Sequence, residues 1–398
     1  MVRGRGVKVS HRAARGLTAG HPWVFRDSLL RPLEGKEAGD TIQICDEDGR
    51  PLGWGLCEPE GAIAVRIVER GPTLRWDDAE LARRVEVAVA LRRATLSPGV
   101  LHACRLVHGE GDGLPGLAVD RLGEFLLVYK YSRAAEAYLE RLVPILAEQL
   151  SPAGIYMQDR VRGVVADERK PPAFHLHGKT APPELEIEED GLRFVVDVSA
   201  PVSPGLFLDL REGRRLAERL SAGRRVLNLF SFTGSFGVRA VRGGATKVVN
   251  VDAAARSHAR CRQNLVASGM DPEACEAFTG DAFAFLERMR QRGERFDLVV
   301  VDPPPFSRVK GKVFSAMRDW EELLQATAHV VAPGGEILAI SNAAKLDDGE
   351  LLSSVGRGAL MAEREAKLLS ELGLPEDFPV PPAFGEGRYL QIKRLWLG

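Results

Sequence analysis

Between residues 226 and 341, four short runs rich in β-branched residues (VLNLF, KVVNVD, FDLVVVD and EILAIS) alternate with helix-length segments. This restricts the C-terminal half to an α/β fold, a parallel sheet with helices on both faces, because parallel neighbours need a crossover that no hairpin can supply. Ligands of such sheets bind outside the carboxyl ends of the strands. The residues just after each run are therefore the ones to read for chemistry.

The first run leads into Asn228-Leu-Phe-Ser-Phe-Thr-Gly234, where Ser231, Thr233 and Gly234 let backbone approach a ligand. The GxGxxG fingerprint is absent, and a plain tight turn explains the loop about as well. The second run ends in Asp252, where nucleoside-binding α/β domains place the acid that holds ribose hydroxyls; it can equally cap the helix that follows. Asp281-Ala282 follows a short strand-like EAFTG, and Asp281 can accept from an adenine amino group or cap FAFLERMRQRG. The fourth site is the most specific. FDLVVVD ends in Asp302-Pro303-Pro304-Pro305-Phe306, and consecutive prolines cannot continue a ladder, so they make a stiff rim beside a buried acid. Phe306 offers a ring on which a planar group can stack.

At 398 residues the chain exceeds one typical core. Residues 1–72 read as a small β domain, with a hairpin in TIQICDEDGRPLGWGL turning at Asp46–Gly49 and a further strand in AIAVRIVER. Residues 73–197 read as a mixed α+β domain and 198–398 as the parallel-sheet domain. In the middle domain, DDAELARRVEVAVALRRATL reads as a helix with Leu81, Val85, Val89 and Leu91 on one side and Asp77 or Asp78 as cap. LPGLAVDRLGEFLLVYKY reads as a strand pair turning near Gly123, EAYLERLVPILAEQL as a helix, and 162–184 as a Pro/Gly/Lys-rich connector. A last hairpin turns at Asp190-Gly191.

No apolar run is long enough for a membrane span, so no membrane partner is expected. Five cysteines (Cys45, Cys57, Cys104, Cys261, Cys275) lie without CxxC or Cys/His spacing, which argues against disulfides and a metal and suits the cytoplasm. The net charge of −1 hides a basic start: Arg3, Arg5, Lys8, Arg12, Arg15, Arg26 and Arg31 stand against Asp27 alone. Such a block tracks phosphates or is simply a solvated basic face.

An acid-ended second strand, GDA after the third and DPP after the fourth resemble class I, Rossmann-like S-adenosylmethionine (SAM)-dependent methyltransferases. More narrowly, the chain resembles bacterial large-subunit rRNA methyltransferases of the RlmI/RlmK type. HPWVF and GDTIQICDEDGRPLGWGL are similar to that family's N-terminal PUA domain, an RNA-binding β barrel, and LVHGEGDGLPGLAVDR to its middle domain. SPGLFLDLREGR, NLFSFTGSF, VDPPPFS and GEGRYLQIKR complete the match in the family's order. The resemblance implies SAM as cofactor, held by Asn228, Phe230, Ser231, Thr233, Gly234, Asp252 and Asp281-Ala282, with Arg211 closing over it or pairing with Asp209 or Glu212. It places the transferred methyl near Asp302-Pro303-Pro304, and 23S rRNA, naked or in an assembling large subunit, as partner. A homodimer is compatible with it.

Members that make 5-methylcytosine use a cysteine thiolate near the DPP site or after the next strand, because cytosine carbon 5 needs covalent activation. Here the matching segment, ISNAAK at 340–345, has none. Guanine N7 carries a free lone pair and needs positioning alone, for which Ser307 and Asn342 would orient the base and Phe306 would stack on it. The alternatives are cytosine-C5 methylation as in the cysteine-containing members, exocyclic-amine methylation, and a non-catalytic RNA-binding protein.

Overall fold

The computed structural model describes residues 6–161, 172–304, 306–309, 312–315, 319–343, 346 and 348–398, with side chains left aside at 306–309, 312–315 and 348. The chain forms two units. One comprises Met1–Asp190, Asp197–Pro204 and Glu376–Gly387; the other comprises Gly191–Val196, Gly205–Pro375 and Arg388–Gly398.

The first unit holds two five-stranded sheets. In the N-terminal sheet Thr41–Cys45 pairs antiparallel with Pro51–Cys57, and that strand with Ile63–Arg70. The expected turn is closed by Asp46, whose Oδ1 accepts from Arg50 N–H at 2.8 Å. Alternate residues, among them Ile42, Ile44 and Val65, join Val9 and Val24 in one apolar core. The second sheet runs Phe174–Gly178, Gly154–Asp159, Phe125–Lys130, Leu117–Leu122, Ala103–His108. Its one parallel pair, 125–130 with 154–159, is joined by the helix Glu136–Leu150. Two expectations fail here. The stretch expected as a connector over 162–184 contains the edge strand Phe174–Gly178; its FHLHG alternates, but over only five residues inside a Pro/Gly/Lys-rich stretch, and all five are exposed; residues 162–171 lie outside the described residues.

The second failure concerns the helix Asp78–Thr95. Asp77 caps it, accepting from Glu80 N–H at 2.9 Å, and Leu81, Val85 and Val89 are buried, but Leu91 points to solvent. Ten residues beyond Leu81, Leu91 has rotated off the stripe at 3.6 residues per turn. Arg92 goes inside instead, fully buried, with its two Nη atoms 2.6 and 2.7 Å from the Asp112 carboxylate and Nη2 2.8 Å from the Asp377 carbonyl. Asp77→Ala is expected to lower stability by about 1 kcal/mol. A urea titration checks this, and an unchanged midpoint would contradict the capping role.

The basic start is only partly a free surface. Residues 1–5, with Arg3 and Arg5, lie outside the described residues, and Arg12, Arg15 and Arg31 are exposed. Arg26 turns inward to the carbonyls of Glu58 and Gly61, and Lys8 Nζ donates to the Glu47 carbonyl at 2.8 Å.

The second unit carries a seven-stranded sheet in the order Glu276–Thr279, Lys247–Asp252, Arg225–Leu229, Phe296–Val301, Val331–Ser341, Gln391–Leu397, Ala366–Leu372. The first five strands are parallel, and 391–397 is antiparallel to both neighbours. Leu227, Leu229, Val249, Val251, Val299, Val301 and Ile337 are buried beneath helices, which is why these strands read as continuous apolar runs. Strand order reverses between 225–229 and 296–301, so a crevice opens at their carboxyl ends. Beyond the prolines the backbone forms a short hairpin, Phe306–Val309 with Lys312–Ser315. Among the described residues no helix is long and apolar enough to cross a membrane.

Candidate active site

The crevice is a cavity of about 650 Å³ lying within the second unit. It is built from the ends of five strands. Asn228 lines it from inside the first; its Nδ2 donates to Asn250 Oδ1 at 2.9 Å, and it is 1% exposed. The loop beyond places Phe230 (φ 56°), Phe232 (φ 47°) and Gly234 (φ 73°) in the left-handed region. For the two phenylalanines this costs about 1–2 kcal/mol each. Tertiary bonds hold it: Ser231 N–H donates to Val251 C=O at 2.9 Å, Phe232 N–H to Asp252 Oδ2 at 2.8 Å, and Thr233 Oγ1 to Gly205 C=O at 2.6 Å. Strain held this firmly at a strand end marks a ligand-shaping loop.

Asp252 thus organises the loop with one oxygen, and its other accepts from Ala254 N–H at 2.9 Å at the start of the next helix. Asp281 lines the cavity while capping Ala282–Gln291 through Ala284 N–H at 2.9 Å, so both of its anticipated roles are compatible. Asp302, Pro303 and Pro304 form the wall after the fourth strand, and Asn342, exposed, leaves the adjacent strand beside them. Burial, reinforced by the Asp209 carboxylate and opposed by Arg214, pushes the Asp302 carboxyl up to about 7.

The cavity therefore gathers Asn228, Phe230, Ser231, Asp252, Asp281, Ala282, Asp302, Pro303, Pro304 and Asn342. Thr233 and Gly234 stand behind the wall, shaping the loop. Arg211, at the start of the helix Arg211–Leu220, is 1% exposed and is not among the lining residues. The side chains of Phe306 and Ser307 lie outside the described residues.

Sequence reasoning missed Phe207, Phe232, Phe283, Asp319 and Glu322, which also line the cavity, and considered Asp209 only as a partner for Arg211. Asp209 instead accepts from Tyr389 O–H at 2.8 Å. LFLD gave a signal in SPGLFLDLR; Asp319 and Glu322 sit at the start of an ordinary amphipathic helix and gave none. The Ser231 hydroxyl, 6% exposed, has no hydrogen-bond partner among the described residues. A buried hydroxyl left unpaired on a cavity wall implies a polar ligand.

Comparison with known proteins agrees with this geometry. A family model for S-adenosylmethionine-dependent methyltransferases matches residues 104–389, and one for a PUA-like domain matches residues 7–70. The chain is 33% identical to the ribosomal RNA large subunit methyltransferase I of Shewanella denitrificans, covering 98% of this chain and 99% of that protein. It is 32% identical to the protein of that name from Photobacterium profundum, covering 95% of each. A methyltransferase crystallised with SAH superposes with a TM-score of 0.89 at 23% identity, covering 98% of this chain and 99% of that one. A SAM-dependent methyltransferase from Streptococcus mutans gives 0.87 at 23%, with the same coverage. At that identity the two structures speak for the fold. The chain belongs to the S-adenosylmethionine-dependent methyltransferases, in the family of the large-subunit ribosomal RNA methyltransferases I, with a PUA-like N-terminal domain and SAM as its cofactor.

Proposed function

We propose that this protein methylates a base of 23S rRNA, at guanine N7 rather than cytosine C5, with residues 1–72 gripping RNA, 73–197 linking, and 198–398 carrying the chemistry. The observation that supports the base choice is the charge of the cavity. Asp209, Asp252, Asp281, Asp302, Asp319 and Glu322 line it, and among its described lining residues there is neither a basic side chain nor a cysteine. Bound SAM supplies an electrophilic methyl on a positively charged sulfur. Transfer to N7 leaves the positive charge on the purine, so the carboxylates face a cation before and after the step. Addition of a thiolate to cytosine would instead build negative charge against them, and all five cysteines are buried away from the wall.

The residues present fit the cofactor. The loop of Asn228, Phe230 and Ser231, shaped by Thr233 and Gly234, would hold the methionine portion, with the Ser231 hydroxyl as an unused donor. Asp252 would hold the ribose hydroxyls, Asp281 and Ala282 the adenine. Asn342 would orient the base at the Asp302-Pro303-Pro304 wall, along with Phe306 and Ser307. Ser231→Ala is expected to leave stability unchanged or raise it by about 1 kcal/mol, since an unpaired buried hydroxyl is removed. It should weaken SAM binding about fivefold by calorimetry; unaltered affinity would remove Ser231 from the site.

A second reading, methylation of an exocyclic amine, is favoured by Asp302, whose carboxyl titrates near neutrality and can take the proton the amine must lose. One experiment tests all of these. The purified protein is given labelled SAM with rRNA, naked and in large-subunit precursors, from cells lacking the protein, and the nucleosides are identified by mass spectrometry. 7-Methylguanosine is expected; an N-methylated exocyclic amine would support the second reading, 5-methylcytidine would overturn both, and unlabelled rRNA would overturn the substrate.

A further inference from the structure

Phe207 is 46% exposed, and among the described residues of the second unit it is the one aromatic side chain among the exposed large hydrophobics. It is also a lining residue of the cavity. Its neighbours Leu206 and Leu208 are both buried, at 3% exposure, so the backbone alternates two side chains inward and leaves this ring out. The position is not loose. The Phe207 carbonyl accepts from Nη1 of Arg214, a fully buried guanidinium, at 2.6 Å.

Phe232 lies against it, with ring centroids 5.4 Å apart and planes inclined at 42°. Phe232 also lines the cavity, and its left-handed backbone (φ 47°) is held by Asp252. The two segments that carry the rings are tied together by the Thr233–Gly205 hydrogen bond. Two aromatic rings on separate segments are thus fixed at the rim of a carboxylate-lined cavity, at the cost of an exposed apolar ring and a strained residue. Packing explains neither feature.

We propose that Phe207, supported by Phe232, is a stacking platform, additional to Phe306, for the base that receives the methyl group, an inference that rests on the RNA-base reading above. Bases in RNA become accessible to such a site by leaving their stack, and an aromatic face replaces the stacking they lose. The choice of phenylalanine beside carboxylates suits a purine that becomes cationic on methylation, because the π face attracts the positive charge that the base acquires. The platform recognises a planar ring irrespective of flanking sequence, so selection of the nucleotide needs contacts beyond the ring.

The test compares Phe207→Ala and Phe207→Trp with the wild-type chain, measuring SAM affinity by calorimetry and methyl transfer to unmodified rRNA. Phe207→Ala should bind SAM within about twofold of wild type and lose about ten- to a hundredfold in kcat/KM for RNA. Phe207→Trp, which keeps a stacking face, should recover most of that loss. Equal kcat/KM for wild type and Phe207→Ala would overturn the platform. So would a fall in SAM affinity, which would place the ring on the cofactor, or a Trp variant as impaired as Ala, which would make the role one of shape alone. If the wild-type chain itself transfers no methyl to rRNA, the functional reading fails, whatever the variants do.

Discussion

Asp302→Asn is expected to make the protein more stable above pH 7 and, at the same time, to reduce methyl transfer by at least about a hundredfold. The Asp302 carboxyl is raised from 3.8 to about 7 by burial and by Asp209. The folded state therefore keeps its proton up to about pH 7, whereas the unfolded chain releases it near 3.8. Stability that is complete below the unfolded value is lost as pH climbs between the two, and stays lost above pH 7. Roughly three pKa units correspond to about 4 kcal/mol at most, so a neutral isostere should gain about 2–4 kcal/mol at pH 8 and little at pH 4. Urea midpoints across that range measure it, and a pH-independent difference would dispose of the charge argument. The ionised form is the one that attracts a sulfonium, so wild-type SAM affinity should rise through neutrality. The Asn variant should show no such rise, and Asp209→Asn, by removing the like charge, should move the rise to lower pH.

Gly234→Ala is expected to be the most damaging single methyl group in the cofactor loop. Gly234 sits at φ 73°, and a Cβ there would lie 2.3 Å from Cys261 Sγ and 3.2 Å from Asn250 Nδ2. The backbone conformation costs an alanine about 1–2 kcal/mol and the overlap about 1–3 kcal/mol more. The thiol cannot yield freely, because Cys261 is 3% exposed and accepts from Asn250 Nδ2 at 3.3 Å. Asn250 in turn holds Asn228, so the disturbance runs straight to the cavity wall. A loss of about 2–5 kcal/mol in urea titrations, with SAM binding weakened at least tenfold, is the expected outcome. A variant with wild-type midpoint and affinity would show that the loop is not held as rigidly as its bonds imply.

The strands of the parallel sheet were legible in the sequence because their chemistry is local. A strand covered by helices on both faces must be apolar throughout, and the acid or loop beyond it falls at a strand end whatever the rest of the chain does. Asp252, Asp281 and Asp302 could be found on that ground, as could the hairpin turn at Asp46–Gly49 and the Asp77 cap. Period counting failed where it was extrapolated too far, at Leu91, and where a five-residue alternation was passed over inside a Pro/Gly/Lys-rich stretch, at Phe174–Gly178.

Other features needed the tertiary structure, because they depend on groups distant in sequence coming together. Asp209 reads as a partner for Arg211 until the fold sets it near Asp302 and against the Tyr389 hydroxyl. Thr233 and Gly234 read as ligand contacts, and only the fold shows Thr233 Oγ1 donating to the Gly205 carbonyl and neither residue among those lining the cavity. Asp319 and Glu322 are ordinary residues of an amphipathic helix, and only the folded cavity makes them part of a six-carboxylate lining. Sequence alone determined the sheet and the acids at its strand ends, since burial and strand termination act on neighbouring residues. The sign of the cavity's charge, the near-neutral titration of Asp302 and the exposed ring of Phe207 were decided by the tertiary structure, since desolvation and Coulomb interactions depend on distance in space.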